Sequence, residues 1–355
     1  MTDLALASLN LVYGAMAAYT VALVAFAIDL SGLRDRGPVP VTERPRRAAG
    51  IAVATTWLGA ALHLGAVVSR AVATTRAPWA NMYEFTLVST FVAVAILLWM
   101  LRMRRDMRFL GVFVVGPTLL LLGVAVAVLY VQADDVMPAL QSYWLVIHVS
   151  VATIATGVVT VAATLSVLQL VQERAERNRI EAAARLDPAE AVPTSSAAPA
   201  AAGTGTGILS GQPTDRTSWQ DDVESATSRT GALESGAAKQ APARKLMSHL
   251  PSSADFERLA FRLNAIGFML WTFTIIAGAI WAEHAWGRPW GWDPKETWSL
   301  IVWVIYAAYL HARSTRGWEG RGAAVLSILG FLAVMSNYFL VNLIFDSLHS
   351  YSGIG

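Results

Sequence analysis

The sequence contains no cysteine and few charged residues, and both features narrow the classes of protein to which it can belong. Without cysteine, the chain can form no disulfide, thiolate metal ligand or redox-active dithiol. Any thiol chemistry in which it takes part must therefore use the thiols of a partner. Charged residues make up 15% of the chain, against about 25% in ordinary soluble domains. This low charge argues against a soluble globular protein.

Hydrophobic residues make up 55% of the chain, and they fall in runs long enough to cross a bilayer, which takes roughly 20 residues. The first run has no basic residue ahead of it, so we expect it not to be a cleaved signal peptide. The pattern predicts an all-α, polytopic membrane protein. Its eight transmembrane helices are predicted at about residues 4–30, 48–69, 82–101, 109–131, 143–171, 263–282, 297–312 and 323–345.

The composition changes sharply between the fifth and sixth runs. Residues 172–254 are mainly Ala, Ser, Thr, Gly, Pro and charged residues without apolar periodicity, which predicts a disordered linker. The predicted organisation is therefore transmembrane helices 1–5 in residues 1–171, the linker, and helices 6–8 in residues 255–355.

The distribution of Lys and Arg predicts the orientation in the membrane. In the eight-helix topology, 23 of the 27 basic residues fall on one side, and four (Arg70, Arg76, Arg288 and Lys295) fall on the other. Positively charged loops stay in the cytoplasm. This predicts a cytoplasmic linker, extracytoplasmic termini and a location in the cell (plasma) membrane.

A tryptophan-rich loop, residues 282–297, connects the sixth and seventh predicted helices. The loop and the Trp on each side of it hold five of the thirteen Trp of the chain. Trp favours membrane–water boundaries, but one or two per helix end are enough for such a belt. Five in one short segment indicate a flat aromatic surface, which suits a large flat ligand. The predicted orientation makes this loop extracytoplasmic.

Two histidines are predicted at the depth of the Trp-rich loop, on different helices. His148 lies about one turn inside the outer end of the fifth helix, and His349 follows the eighth. Two neutral imidazoles across a gap are what a six-coordinate haem iron requires, so we expect both to be axial ligands. His311 lies near the inner end of the seventh helix and has no partner at its depth. We interpret His63 and His284 as structural or auxiliary.

The segment Asp293-Pro-Lys-Glu296 has the pattern of a capping box that opens the seventh helix. Such a helix start also points backbone N–H groups toward the loop, where an anion can bind. Arg288 and Lys295 add positive charge that would suit haem propionates, although both could equally be solvated loop residues. Asn81 repeats the capping pattern at the third helix.

The run Trp286-Gly-Arg-Pro-Trp-Gly-Trp-Asp-Pro-Lys-Glu-Thr-Trp298 resembles the tryptophan-rich "WWD" signature of haem-handling proteins in cytochrome c maturation. Its Asp-Pro-Lys-Glu-Thr-Trp ending is most similar to the CcsA (ResC) family of the system II pathway. The likeness extends to Asn81-Met-Tyr-Glu84, His148, His311 and Leu348-His349-Ser350.

The resemblance implies a function and a set of site residues. Family members bind b-type haem non-covalently at the outer face, between two His that match His148 and His349. A His matching His311 helps to hold a second haem deeper in the membrane, with a ligand from a ResB-type membrane protein. Together the two proteins would attach haem to the Cys-x-x-Cys-His segment of apocytochrome c, as part of a holocytochrome c synthase. The residues of the matching loop are Trp286, Trp290, Trp292, Asp293, Arg288 and Lys295.

Three alternatives remain open from the residues alone. The chain could export or chaperone haem without catalysing its attachment, serve as a quinone-linked membrane subunit, or act as a scaffold for a haem-bearing partner. In each case we expect membrane lipid around the chain and no nucleic-acid partner.

Overall fold

A computed structural model of the chain describes residues 3–34, 43–132, 142–186, 250–315, 318–345 and 348. These residues form nine α-helices and one short 3₁₀ helix, Arg105–Phe109, and they contain no β-strand. The α-helices are α1 (Asp3–Arg34), α2 (Glu43–Thr74), α3 (Met82–Met103), α4 (Leu110–Ala127), α5 (Tyr143–Leu186), α6 (Ser253–Trp286), α7 (Pro294–Ser314), α8 (Arg321–Tyr338) and α9 (Leu340–Ile344).

The all-α fold class is confirmed, and each of the eight predicted apolar runs is largely helical. Seven helical segments are long and apolar enough to cross a membrane. The remaining long helix, α7, is not apolar enough to be counted with them. It carries Lys295, Glu296, His311 and Arg313 along with several Trp and Tyr. The number of membrane crossings and the positions of the termini stay predictions.

The helices extend beyond several predicted boundaries. α5 continues to Leu186, so the first part of the predicted linker is helical, and α6 already begins at Ser253. Residues 172–186 carry charged side chains, but they also include Ala, Leu, Glu and Arg, which favour helix. Residues 187–249 lie outside the described residues, and their disorder stays a prediction.

The helices that form the candidate site belong to one compact unit, residues 1–174 and 249–355. Within it, α1 packs along α2 and against α4, α3 packs between α2 and α4, and α7 packs against α6 and α8. A second unit, residues 175–248, contributes only the end of α5 to the described part of the chain.

A large apolar core joins α1 through α5 with the first half of α6, and a smaller one joins α5, α6, α7 and α8. The smaller core includes Trp271, Val302 and Tyr306. It lies beside the site and supports its walls.

The end of α6 sets the start of the Trp-rich loop. Gly287 follows the helix with φ 69°, a left-handed conformation that residues with a side chain rarely adopt. Its N–H donates to the carbonyl oxygen of Glu283. A few residues later Pro294 begins α7, so two closely spaced helix ends confine the loop.

Candidate functional site

A cavity of about 190 Å³ lies where the beginnings of α3, α5 and α7 meet the ends of α6 and α8. Its wall is mostly apolar and aromatic, with a few polar groups. Concave apolar sites with a few convergent polar groups are typical of small-molecule binding. The lining residues include Trp79, Phe85, His148, Trp271, Thr274, Gly278, Trp281, Trp290, Lys295, Asn337, Tyr338 and Asn342.

His148 lies in the wall of this cavity, as a ligand role requires. Its Nδ1 lies 2.8 Å from the carbonyl oxygen of Thr274. Because a carbonyl oxygen only accepts, Nδ1 donates, and the neutral imidazole then has its lone pair on Nε2. This is the tautomer that binds a metal through Nε2, and a second partner on the other nitrogen is typical of metal-binding His.

Packing also restrains the His148 ring. It is stacked against Trp281, with 6.2 Å between ring centroids and 12° between planes. On another side it lies against α6 at Gly278. A Cβ at residue 278 would lie 2.8 Å from His148 Cε1, closer than real Cβ contacts allow. The absence of a side chain at residue 278 therefore makes room for the imidazole.

The three predicted Trp of the loop have different environments. Trp290 lines the cavity. Trp286 does not, but its ring packs edge-on against the buried Trp281, with 4.7 Å between centroids. Trp292 is 68% exposed, adopts a positive φ of 56° and packs edge-on against Trp290. Only one of the three therefore contacts the space that a ligand would occupy.

Asp293 and Glu296 organise the start of α7, and the predicted capping box is confirmed. Asp293 Oδ1 accepts from the N–H of Lys295 at 2.9 Å. Glu296 Oε2 accepts from the N–H groups of Gly291 at 2.7 Å and of Asp293 at 3.1 Å. Asp293 is buried and does not line the cavity, so its carboxylate acts on the protein itself.

The second oxygen of Asp293 joins the loop to the C-terminal segment. Oδ2 accepts from the backbone N–H of Leu348 at 2.9 Å. Leu348 precedes His349, which lies outside the described residues. The predicted role of His349 as an axial ligand therefore stays a prediction.

Lys295 reaches the cavity, whereas Arg288 does not line it. Lys295 Nζ donates to the backbone carbonyl of Asn337 and to Oδ1 of Asn342, both at 2.9 Å. Burial lowers the pKa of Lys295 to about 7, and the nearby charge of Asp293 opposes part of this shift. An anion in the cavity would favour the charged form of this lysine.

The other histidines lie elsewhere. His63, on α2, is fully buried against α1 and α3, with Nε2 2.9 Å from the carbonyl oxygen of Leu87 and Nδ1 3.3 Å from the hydroxyl of Tyr19. His284 is exposed and bonds to a carbonyl oxygen in its own helix. His311 is exposed in the last turn of α7, about 24 Å along that helix from the cavity end at 1.5 Å per residue.

A buried ionic cluster borders the cavity on the side of α2 and α3, and no sequence pattern indicated it. Glu84 Oε1 accepts from Arg70 Nε at 2.9 Å, and Oε2 accepts from Arg76 Nη1 at 2.8 Å. Arg70 and Glu84 are 1% and 0% exposed. In the sequence, Arg70 and Arg76 look like ordinary outer loop charges, and nothing in their spacing shows that Glu84 joins them.

Two smaller contacts complete this wall. The predicted cap at Asn81 is confirmed, because its Oδ1 accepts from the N–H of Glu84 at 2.9 Å. Thr86 and Tyr338 join α3 to α8 through hydroxyl groups 2.6 Å apart. Tyr338 also stacks on Phe85, which fixes the aromatic surface between the two helices.

The chemistry of the wall fits a flat, largely apolar ligand with acidic groups and a central metal that accepts a nitrogen ligand. Among the described residues, no group of three or more His, Cys, Asp or Glu could hold a bare metal ion. The cavity volume is below the roughly 300–1,000 Å³ of typical ligand sites. A larger flat ligand would therefore have to displace side chains of the wall.

The chain is similar to several known proteins. A model of the family described as "Cytochrome C assembly protein" matches residues 79–349. A "Cytochrome c biogenesis protein CcsA" from Gloeobacter violaceus is 35% identical over 296 residues, covering 81% of this chain and 82% of the relative. The protein of the same description from Synechococcus elongatus is 39% identical over 221 residues, covering 62% of this chain. The match spans only 61% of the length of the Synechococcus protein.

The fold also resembles that of a solved structure, "Cytochrome c Heme Lyase CcmF". The TM-score is 0.58 at 15% sequence identity, and the similarity covers 100% of this chain and 49% of that one. At this identity the likeness establishes a shared fold only.

Proposed function

Because the chain belongs to the cytochrome c assembly protein family, we propose that it binds haem in the cavity under the Trp-rich loop and presents it for attachment to apocytochrome c. The observation that carries the proposal is His148. Its Nδ1 is held by the Thr274 carbonyl, and its ring is packed between Trp281 and Gly278 at the cavity wall. This is a preorganised imidazole in an aromatic site.

We propose that His148 and His349 would together hold a non-covalently bound b-type haem through its iron. Support for His349 comes from its chain neighbour Leu348, whose N–H donates to Asp293 at the base of the Trp-rich loop. This bond holds the chain next to His349 beside the loop that would cover the ligand.

Some residues of the Trp-rich loop would contact the ligand, and the others would support the loop. Trp290 would cover one face of the ligand, and Lys295 would pair with an acidic side chain of the porphyrin. Bound haem would supply two vinyl groups, to which the Cys thiols of a Cys-x-x-Cys-His segment add. The loop residues that do not line the cavity would hold the loop rather than touch the ligand; they are Trp286, Trp292, Asp293 and Arg288.

No nucleophile from this chain is needed for such an addition, because the substrate brings both thiols. The residues of the chain would position the haem, exclude water and leave one edge accessible. The absence of cysteine is compatible with this division between the chain and its substrate.

We further propose that His311 serves a second haem site, completed by a ResB-type membrane protein. Its exposed position at the far end of α7 supports this, because a partner could reach it. With the orientation predicted from basic residues, the Trp-rich loop faces the extracytoplasmic side of the cell membrane.

A pyridine haemochrome assay and absorption spectra of the purified chain test haem binding. We expect a bis-His Soret and α band that is lost in His148→Ala and in His349→Ala. His284→Ala is the matched control, because His284 belongs to the Trp-rich loop but not to the cavity wall. A wild-type chain without haem, or an unchanged spectrum in His148→Ala, would reject the proposal.

The alternative is a haem exporter or chaperone without synthase activity, which the same cavity would also support. Co-expression with a ResB-type partner and an apocytochrome separates the two. Covalent haem on the cytochrome only when this chain is present supports a role in attachment, whereas covalent haem in its absence excludes that role.

A further inference from the structure

Four buried hydrogen-bond donors without a partner lie at the connection between α2 and α3, at the start of α3 and just after α4. Among the described residues, Arg76 Nε, Trp79 Nε1 and the hydroxyls of Tyr83 and Tyr130 are buried and make no hydrogen bond. A buried polar group without a partner costs roughly 1–3 kcal/mol. Such donors indicate a place where another molecule supplies the acceptor.

Trp79 differs from several other Trp residues of the chain, because its indole N–H has no hydrogen-bond acceptor in the described part of the chain. It lines the cavity, and its Nε1 has no acceptor among the described residues. Its indole therefore carries a buried donor without an acceptor in a residue of the cavity wall. By contrast, the indole N–H groups of Trp271, Trp298 and Trp303 donate to Ser299, Ala333 and Thr272 at 2.8–3.1 Å.

The charge beside Trp79 is positive. Arg70, Arg76 and Glu84 together carry two guanidinium groups and one carboxylate. The carboxylate is saturated, because its oxygens also accept from Arg76 Nη2 at 3.2 Å and from the N–H of Ala80 at 2.9 Å. The cluster thus retains a net positive charge, which favours an anion nearby.

We propose that the α2–α3 connection is a carboxylate subsite of the cavity, in which Trp79 Nε1 donates to an acidic side chain of the ligand and the Arg70–Glu84–Arg76 cluster stabilises its charge. This subsite rests on the proposed function, in which the ligand is a porphyrin with two carboxylates. Lys295, which is held by α8 and α9 and also lines the cavity, would receive the second carboxylate.

The test compares haem with its dimethyl ester, in which both carboxylates are neutral, on the purified full chain. Trp79→Phe keeps an aromatic ring and removes the N–H. We expect it to weaken haem binding roughly ten- to hundredfold and to weaken ester binding less than about threefold. Trp99→Phe, at an exposed position on α3, is the control and should leave both affinities unchanged.

A second variant separates the contribution of the N–H donor from that of the aromatic ring. Trp79→Gln keeps an N–H donor and should retain more preference for the acid over the ester than Trp79→Phe does. Equal losses for haem and ester in Trp79→Phe would overturn the inference, since the indole would then act by packing alone. A wild-type chain that binds neither ligand would instead reject the proposed function.

Discussion

Among single residues, His148 owes its position to a neighbour that has no side chain. Gly278 lets the imidazole approach α6 closely enough for Nδ1 to reach the Thr274 carbonyl. The histidine could be identified in the sequence, but this contact joins residues far apart in the chain. No local pattern predicts it.

Gly278→Ala should therefore weaken haem binding without unfolding the protein. The new Cβ would displace the imidazole and break its bond to Thr274, a loss of about 1–2 kcal/mol, or roughly five- to thirtyfold in affinity. Haem titration of the purified variant measures this. Gly50→Ala is the control, because a Cβ there contacts nothing within 4 Å. An unchanged affinity in Gly278→Ala would show that the ring is not restrained as described.

A second prediction about a single residue concerns Lys295 and the pH dependence of haem binding. Its pKa is lowered to about 7 by burial, and a bound carboxylate would raise it again. Its contribution to binding is then fully present below pH 7 and is lost as the pH rises through the higher pKa of the bound state. Haem affinity measured across this range should fall more steeply in the wild type than in Lys295→Met. Identical pH profiles would contradict the prediction.

Among the secondary-structure elements, the start of α7 also holds the C-terminal segment. Asp293 uses one oxygen for the cap and the other for the N–H of Leu348, so one side chain joins the helix, the loop and the C-terminal segment. The cap could be predicted from four consecutive residues. The bond to Leu348 could not, because 55 positions separate its two ends.

Asp293→Asn should therefore have a larger effect on stability or haem occupancy than Glu296→Gln. An Asn has one acceptor oxygen and can replace only one of the two bonds of Asp293, whereas a Gln can still accept both N–H groups through one oxygen. We expect Asp293→Asn to lower thermal stability or haem occupancy, by about 1–2 kcal/mol for a lost bond to a charged group. Glu296→Gln should have the smaller effect. The reverse order would argue against a tether between the loop and Leu348.

For the molecule in its membrane, the distribution of basic residues predicts which side carries the site. Because the chain has no cysteine, single introduced cysteines can report this directly. Glu283→Cys, at an exposed position of the Trp-rich loop, should react with a membrane-impermeant maleimide on intact cells or spheroplasts. Asn178→Cys, at an exposed position of α5, should react only after the membrane is opened. The opposite labelling pattern would reverse the orientation.

Composition and short-range patterns were enough to predict the all-α membrane class, the helical runs, the caps at Asn81 and Asp293 and the family resemblance of the Trp-rich loop. These features depend on residue content and on neighbours within a few turns, which are read directly from the chain. Tertiary packing, by contrast, places Trp79 in the cavity wall and Trp292 outside it, and brings Glu84 to two arginines. The reason is physical: Trp79 and Trp292 lie in connections between helices, where no periodicity indicates a direction, and the pairing of Arg70 with Glu84 depends on how α2 packs against α3.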